Sequence, residues 1–362
     1  MEVFGRQMIG LFFDGRFINT TNPDGITRFS IGLINELSKL SELTVLVSSP
    51  DQVGFLPAGT RTKMVNAPTS LSELLLARKL NRENAKVVFS PMQTTSSFGK
   101  RFKLVLTLHD LIYYRHKTPP SQFNPLVRLG WLLFHLSYLP QRLVLNRADL
   151  VVTVSETSKR EIQEANLTKR DVQVVYNSTD LEPRVPTESL RPKTLVYMGS
   201  FIDYKNVEFL IQAMSLLPDY QLVLLSRIGP RRRKALAKLA SDYGSDVRFE
   251  NGVDQEQYIA WLTRARALVS ASKDEGFGIP LVEGMSQGLP LVLSKIDIFE
   301  EIAGDAGLYF DNSNKEEFAA QVLQLEDESV WLQQSKRGIA RSKDFSWSVS
   351  AKKLHELLSS LS

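Results

Sequence analysis

The chain has no cysteine, few histidines and little net charge, and each shortage argues against a class of function. Without cysteine there can be no disulfide, no thiolate nucleophile and no zinc site built on thiolates. The four histidines, His109, His116, His135 and His355, are too scattered to suggest a metal site. The net charge of +4 by itself indicates neither a nucleic acid nor a membrane as partner.

Long apolar runs are also missing. No uninterrupted stretch of about 18 apolar residues occurs, so no membrane-spanning helix is expected. The apolar residues near the N-terminus are followed at once by Asp14 and Gly15, which does not resemble a signal peptide. We expect a cytoplasmic protein, with peripheral contact at the inner face of the membrane left open.

What is present is a repeated alternation of short apolar runs and amphipathic segments, in two successive series. This pattern is typical of parallel sheets with crossover helices, and 362 residues suffice for two such domains. A Pro-rich, charged stretch at 181–192 separates the series and is the predicted linker. We predict an α/β fold with two doubly wound, Rossmann-like domains, residues 1–182 and 183–345, a last helix in 346–362, and a ligand site between the domains.

The stretch 266–311 carries the strongest functional signal. It reads as strand, loop, helix and strand, and its loop follows the carboxyl end of a parallel strand, where such sheets bind ligands. Gly276 and Gly278 allow a ligand to approach the backbone closely, and the following helix N-terminus suits a phosphate. Glu275 and Glu283 frame the loop, although acidic residues near a helix start often only complement its dipole.

These residues carry a family resemblance. The string EGFGIPLVEG (275–284) resembles the paired-glutamate signature of GT4-type retaining glycosyltransferases, which have the GT-B fold. The strings GLPLVLS (288–294) and EEIAGDAG (300–307) resemble the next strand and turn of the same family. The resemblance is clearest over 194–350. It implies an acceptor-side first domain, a second domain that binds the nucleotide sugar, and a last helix that returns to the first domain.

The resemblance also implies roles in the second domain. Glu283 would hold the ribose, and Glu275 would hold sugar hydroxyls near the reacting carbon. No metal and no cofactor are expected, because positive side chains and helix N-termini take the metal's role. The loop residues implied to bind the donor are Gly276, Phe277, Gly278 and Ile279.

Lys205 follows a predicted strand and precedes a helix, where its charge could neutralise a diphosphate leaving group. The family often has arginine in the position of Ser200, and another branch has it in the position of Tyr204. Both arginines are missing here. Arg227, at the end of the next predicted strand, is a hypothetical second cation.

Two positions in the first domain resemble family sites. Gly25, in the loop that enters the first helix, resembles the glycine loop near the diphosphate and acceptor, although an ordinary turn would look alike. The string TLHDL places His109 at a strand end and resembles the family's histidine beside the donor sugar. His109 could orient a hydroxyl or steady developing charge, or it could cap a loop.

Two further segments have competing interpretations. Residues 126–147 are rich in leucine and aromatic residues and are interrupted by Pro140, which is more typical of a pair of core helices. The alternative is a membrane-surface segment with its basic side on the lipid and Trp131 or Phe134 inserted. The basic cluster 231–234 lacks interleaved aromatic residues and fits a solvated helix face, so no nucleic-acid partner is expected.

We therefore predict a metal-independent, retaining hexosyltransferase. It would move a hexose, with mannose as the first guess, from GDP-mannose or next a UDP-hexose to a glycan or lipid-linked acceptor in polysaccharide or glycolipid synthesis. One alternative is a GT-B sugar-phosphate epimerase or a phosphorylase-like enzyme with pyridoxal. Another is a non-catalytic subunit that binds sugar nucleotides, suggested by the missing arginine at position 200.

Overall fold

The computed structural model describes residues 10–21, 23–119, 125–186 and 191–361. They form two compact units. One consists of the described residues up to Ser178 together with those from Ser346 onward, and the other runs from Thr179 to Phe345.

The first unit is built on a seven-stranded parallel sheet. Its strands are β1 (Leu11–Asp14), β2 (Leu43–Val47), β3 (Arg61–Met64), β4 (Val87–Ser90), β5 (Lys103–Thr107), β6 (Leu150–Thr153) and β7 (Val172–Val174). Its helices before the second unit are α1 (Gly25–Leu40), α2 (Leu76–Arg82), α3 (Ile112–Arg115), α4 (Pro125–His135), α5 (Leu139–Leu145) and α6 (Glu156–Glu164). The strand order is β3-β2-β1-β4-β5-β6-β7, so the winding reverses between β1 and β4.

The second unit repeats this design with six parallel strands. They are β8 (Thr194–Tyr197), β9 (Gln221–Leu224), β10 (Val247–Phe249), β11 (Ala267–Ser270), β12 (Leu291–Ser294) and β13 (Gly307–Phe310). Its helices are α7 (Val207–Ala213), α8 (Pro230–Tyr243), α9 (Gln255–Arg264), α10 (Ile279–Ser286), α11 (Asp297–Ala303), α12 (Lys315–Gln324) and α13 (Glu328–Ser342). The order β10-β9-β8-β11-β12-β13 places the reversal between β8 and β11.

The central strands of both sheets are buried on both faces, as parallel strands covered by helices must be. All four residues of β4, β6, β11 and β12 are buried. The apolar runs predict these strands because a doubly covered strand needs apolar side chains on both faces. The predicted α/β architecture of two doubly wound units is confirmed.

The last helix, α14 (Trp347–Ser359), belongs to the first unit and packs on α1, as predicted. Gly32 of α1 faces Trp347, and a Cβ atom at Gly32 would lie 2.3 Å from two carbon atoms of the indole ring. Phe29 contacts the same indole with its ring centroid at 6.3 Å. The helices therefore approach closely only because residue 32 has no side chain.

Two local predictions are wrong or incomplete. The sequence indicates one helix over 71–80, whereas Leu71–Leu75 forms a 3-10 helix and α2 begins at Leu76. The sheet-edge strand β3 was not predicted, because its polar, exposed residues do not form an apolar run. The predicted linker 181–192 lies partly outside the described residues, at 187–190.

The prediction that 126–147 forms a pair of core helices is wrong for α4. Leu126 is 82% exposed, and Leu129, Leu133 and Leu136 are exposed as well. The other side of α4 supplies the packing, since Trp131 stacks on His135 at 4.1 Å and meets the ring of Tyr113 edge-on. An apolar composition alone cannot tell which of two apolar faces is covered. Within the described ranges, no helix is both long and apolar enough to cross a bilayer.

Candidate active site

The winding reversal of the second unit brings two functional loops together. One loop follows β8 and contains Lys205, and the other follows β11 and contains Glu275. Because β8 and β11 are neighbours in the sheet, both loops leave its carboxyl edge side by side. The backbone N–H of Lys273 donates to the carbonyl of Tyr204 at 2.8 Å and joins the loops directly.

Lys205 and Glu275 form an ion pair between these loops. Their side chains are only 12% and 20% exposed. The Lys205 Nζ also lies 5.3 Å from the centroid of the Tyr204 ring. Asn206 ends this turn with φ +54°, a left-handed conformation that asparagine tolerates better than most residues. The loop thus holds a sheltered ammonium group at the edge of the sheet.

The Gly276–Gly278 segment is buried and leads into α10. Gly278 has φ +92° and immediately precedes Ile279, the first residue of the helix. Phe277 is 4% exposed and packs edge-on against Phe345, with ring centroids 5.7 Å apart. The side chain of Phe277 is therefore part of the packing, and the backbone is what this segment can offer to a ligand.

Glu283 lies one turn inside α10 and is 5% exposed. Its Oε2 accepts a hydrogen bond from the hydroxyl of Tyr258, at 2.8 Å. Glu283 was predicted from its motif, but Tyr258 was not, since it lies 25 residues earlier in a different helix, α9. No sequence pattern pairs these two residues.

The hypothetical second cation, Arg227, is exposed just after β9. Its side chain packs on Gly252, where a Cβ atom would lie 2.5 Å from the Arg227 Cγ. A different arginine contacts the loop after β8. Arg232 of α8 donates to the carbonyl of Phe201 at 2.9 Å and pairs with Glu208 at 2.6 Å. In the sequence Arg232 is recognisable only as part of the basic cluster 231–234, and its contact with the loop after β8 was not predicted.

His109 lies just beyond β5 in the first unit. Its Nε2 is 2.8 Å from the carbonyl oxygen of Pro91, and its ring meets Phe29 edge-on at 5.2 Å. Burial lowers the pKa of His109 below its ordinary value of 6.5. Because a carbonyl oxygen can only accept, Nε2 carries the proton and Nδ1 of the neutral ring is an acceptor.

Gly25 is the first residue of α1 and is exposed. The N-terminus of α1 already has a cap, because Asp24 Oδ1 accepts from the N–H of Thr27 at 2.8 Å and from its hydroxyl at 2.9 Å. A phosphate at this helix would meet the Asp24 carboxylate. The surroundings of Gly25 are therefore those of an ordinary capped helix start, which was the alternative to a phosphate-binding glycine loop.

A buried polar network at the carboxyl edge of the first sheet was not predicted. Arg16 donates to both carboxylate oxygens of Asp14, each at 2.7 Å, and to Glu73 at 2.6 Å. The hydroxyl of Thr95 donates to Asp14 at 2.7 Å. The network ties the end of β1 to the segments around residues 73 and 95. The only feature of the sequence that could have indicated this network is the spacing of Asp14 and Arg16, two residues apart at the end of a strand.

The structure groups Lys205, Glu275, the 276–279 backbone and Glu283 around the β8/β11 reversal of the second unit. His109 and Gly25 lie in the first unit. Among the described residues, no group of three or more His, Asp or Glu side chains is arranged to hold a metal ion.

Comparisons with known proteins agree with this arrangement. A family model described as "Glycosyl transferases group 1" matches residues 178–358. A second model, "Glycosyltransferase Family 4", matches residues 23–183. Together the two matches cover every strand of both sheets except β1.

Two curated proteins illustrate the similarity in sequence. O-antigen chain mannosyltransferase B of Escherichia coli is 32% identical over 265 residues, which is 68% of this chain and 67% of that protein. The GDP-mannose:cellobiosyl-diphosphopolyprenol alpha-mannosyltransferase of Xanthomonas oryzae pv. oryzae is 30% identical over 164 residues, 42% of each protein.

A solved structure extends the similarity to the fold. Anabaena HepE in complex with UDP and glucose superposes with a TM-score of 0.73 at 19% identity, covering 97% of this chain and 99% of that one. At this identity the likeness supports the GT-B fold alone.

Proposed function

This chain belongs to the glycosyl transferases group 1 family, and on that premise we propose that it transfers mannose from a nucleotide diphosphate donor to a glycan or lipid-linked acceptor, with retention. The observation that carries the site assignment is the pairing of Lys205 with Glu275 at the β8/β11 reversal, in the loop that leads into the helix of Glu283. This places a cation and two carboxylates where doubly wound sheets bind nucleotides.

In the proposed reaction the bond between the sugar C1 and the β-phosphate oxygen breaks. The acceptor hydroxyl oxygen forms the new bond to C1 on the same face, and its proton goes to the departing phosphate oxygen. Lys205 balances the charge of that phosphate. Stabilisation of this kind is usually among the largest catalytic contributions.

Lys205 must exchange partners for this role. Its ammonium is paired with Glu275, so a diphosphate has to compete with that carboxylate. A diphosphate offers more negative charge and more acceptor oxygens than a carboxylate does, which favours the exchange. Glu275, released from the pair, is then free to accept hydrogen bonds from hydroxyls of the donor sugar.

Arg232 fits the second cation better than Arg227 does, because Arg232 already contacts the loop after β8. With Lys205 and the first N–H groups of α10, it can supply positive charge without a metal ion. We therefore propose a metal-independent reaction that requires no cofactor.

His109 is proposed as a hydrogen-bond acceptor rather than a source of positive charge. Its Nε2 proton is directed to Pro91, which leaves Nδ1 to accept from a sugar or acceptor hydroxyl. Of the two catalytic roles that the sequence left open, orienting a hydroxyl is therefore favoured over steadying developing charge.

GDP-mannose is the proposed donor. It rests on the relatives, since the E. coli relative is named a mannosyltransferase and the Xanthomonas relative a GDP-mannose enzyme with a diphosphopolyprenol acceptor. UDP-hexose is the second candidate for the donor, as the family resemblance of the sequence implies.

A lipid-linked acceptor fits a further proposal, that α4 rests on an anionic membrane. Leu126, Leu129, Leu133 and Leu136 recur at helical spacing and are exposed. No Asp or Glu occurs between positions 110 and 149, whereas exposed basic residues do. A basic, leucine-rich helix is typical of surface-bound segments. The inserted side chains would be these leucines, since Trp131 is partly buried and packs against Tyr113 and His135. The exposed basic residues are Arg115, Lys117, Arg128 and Arg147, of which Arg115 pairs with Glu161 at 3.0 Å.

The direct test is binding and transfer by Lys205→Ala. We expect thermal-shift screening of GDP, UDP, ADP and TDP without metal to single out one base, with roughly 2.7 kcal/mol of stabilisation at a hundredfold excess over the dissociation constant. Lys205→Ala should abolish that shift and lower kcat roughly 10²–10³-fold. Transfer should persist with a chelator.

Lys238→Ala is the matched control, because Lys238 lies in the same unit and pairs with Asp242 on the surface. It should behave like the wild type. Since Lys205→Ala also leaves Glu275 without its partner, the double variant Lys205→Ala/Glu275→Gln separates the two effects. Recovery of activity in the double variant would contradict the proposed role of Lys205.

A further inference from the structure

Glu283 is held by a neutral donor from another helix. The hydroxyl of Tyr258 donates to Glu283 Oε2 at 2.8 Å, and the two residues are 4% and 5% exposed. A phenol that donates to a carboxylate fixes its orientation and stabilises its charged form, but does not cancel that charge as a lysine or arginine would. The phenol therefore uses only one of the acceptor positions of this carboxylate.

Tyr258 is itself fixed by the start of α9. Asp254 caps this helix: its Oδ1 accepts from the N–H of Gln257 at 2.8 Å, and its own N–H donates to the Gln257 side chain at 3.1 Å. The N–H of Tyr258 donates to the carbonyl of Asp254 at 2.9 Å. A reciprocal cap of this kind fixes where the first turn begins, and with it the position of the phenol.

α10 cannot fix the Glu283 carboxylate by itself. The helix sets the Cα position, but a glutamate side chain has three further rotatable bonds, and ordering them costs entropy. A hydrogen bond from a rigid aromatic side chain removes that freedom before a ligand arrives. Pre-ordered groups bind more tightly because less ordering remains to be done on binding.

We propose that Tyr258 is a positioning residue that orients Glu283 to accept the hydroxyls of the donor's ribose. This deepens the proposed function, on which it rests, and it takes Glu283 to bind the ribose as the family resemblance implies. Tyr258 acts through Glu283, so its effect exists only for ligands that carry those hydroxyls.

The test compares GDP with 2′,3′-dideoxy-GDP, and in parallel UDP with 2′,3′-dideoxy-UDP, by calorimetric titration. Wild type should prefer the ribose form by roughly tenfold or more, because a dideoxy ligand lacks the hydroxyls that would donate to the Glu283 carboxylate. Tyr258→Phe removes only the hydroxyl. It should weaken binding of the ribose form roughly tenfold and leave the dideoxy form nearly unchanged, so the preference shrinks.

Tyr220→Phe is the matched control. Tyr220 is also buried in the second unit and its hydroxyl donates to a glutamate, Glu326, at 3.2 Å. Tyr220→Phe should lower the melting temperature without changing the ribose preference. A merely structural role for Tyr258 would give the same result in Tyr258→Phe.

A double-mutant cycle with Glu283→Gln completes the test. If Tyr258 acts through Glu283, adding Tyr258→Phe to Glu283→Gln should weaken ribose-form binding no further. Additive losses, equal losses for ribose and dideoxy ligands, or an unchanged preference in Tyr258→Phe would each overturn the positioning role while leaving the proposed function standing. A wild type that binds nucleotides without a ribose preference would overturn the role of Glu283 at the ribose and with it the positioning role of Tyr258. A wild type that binds no nucleotide would overturn the proposed function as well.

Discussion

At the scale of single residues, the contacts of His109 decide which chemistry it can perform. Its Nε2–H is used on the Pro91 carbonyl, and burial lowers the pKa of the ring. A neutral histidine with one nitrogen already donating can only accept at the other. The sequence located His109 at a strand end, but it could not assign the proton, because Pro91 lies 18 residues away on a different loop.

The lowered pKa of His109 predicts how stability depends on pH. Between its folded pKa and the unfolded value near 6.5, the unfolded chain binds a proton that the folded chain does not. The free energy of unfolding should therefore rise with pH up to about 6.5 and level off above it. Chemical denaturation between pH 5 and 8, roughly the range in which histidine titrates, measures this slope.

His109→Gln should flatten that slope. Burial also lowers the pKa of His135, so His135 contributes to the pH dependence of stability with the same sign. Part of the slope should therefore remain in His109→Gln. A slope unchanged in His109→Gln would mean that its ring titrates alike in the folded and unfolded chain.

At the scale of elements, α4 predicts membrane binding with a defined lipid preference. We expect the protein to sediment with vesicles that contain phosphatidylglycerol and much less with pure phosphatidylcholine, and salt should weaken the binding. The double variant Leu129→Ser/Leu133→Ser should lose at least roughly tenfold in vesicle affinity, since each buried leucine contributes about 1.5–3 kcal/mol.

Leu323→Ser is the control for this experiment. Leu323 is 47% exposed on α12 of the second unit, so the substitution makes the same change in polarity away from α4. Equal binding to both vesicle types, or full binding by the leucine variant, would contradict the membrane role of α4.

The contact between α1 and α14 gives a second element-scale prediction. Gly32→Ala puts a methyl group 2.3 Å from carbon atoms of the Trp347 ring, so the helices must separate or the indole must move. Overpacking of this kind typically costs about 1–3 kcal/mol of unfolding free energy. Urea denaturation measures the loss.

Gly130→Ala in α4 is the control, because it should not lower the free energy of unfolding. No atom lies within 4 Å of a Cβ built at Gly130. Alanine there should be neutral or stabilise the helix by up to about 1 kcal/mol. Similar losses in both variants would show that the backbone of a helical glycine, rather than the Trp347 contact, is responsible.

Elements also differ in how far the sequence predicts them. The sequence predicts strands over 43–47 and 247–249 and a helix over 255–264, and β2, β10 and α9 have these bounds. The edge strand β10 has no buried residue, but its two apolar residues, Val247 and Phe249, mark it in the sequence. The edge strand β3 has polar, mostly exposed residues and was not predicted, and 71–80 divides into a 3-10 helix and α2 where one helix is predicted. Local pattern is informative where apolar or capping residues mark an element, and uninformative where neither is present.

At the scale of the whole molecule, both compact units have the same winding. Each sheet reverses order after three strands on one side, at β1/β4 and at β8/β11. Polar side chains lie at the carboxyl edge next to each reversal. In the first unit they are the Asp14–Arg16–Glu73 network, which was not predicted, and in the second unit the predicted residues Lys205 and Glu275. The topology concentrates polar side chains there because adjacent loops diverge and leave a crevice.

By itself the sequence determined the α/β class, the two doubly wound units, the family and the paired glutamates, because periodicity, turn residues and motif spacing are local properties of the chain. Tertiary structure alone decided that Tyr258 holds Glu283, that Arg232 reaches the loop after β8, and that the leucines of α4 face outward. The partners in the first case are 25 residues apart and lie on separate helices. Such contacts depend on how whole elements pack, and the local pattern of residues does not encode which face of an element finds a partner.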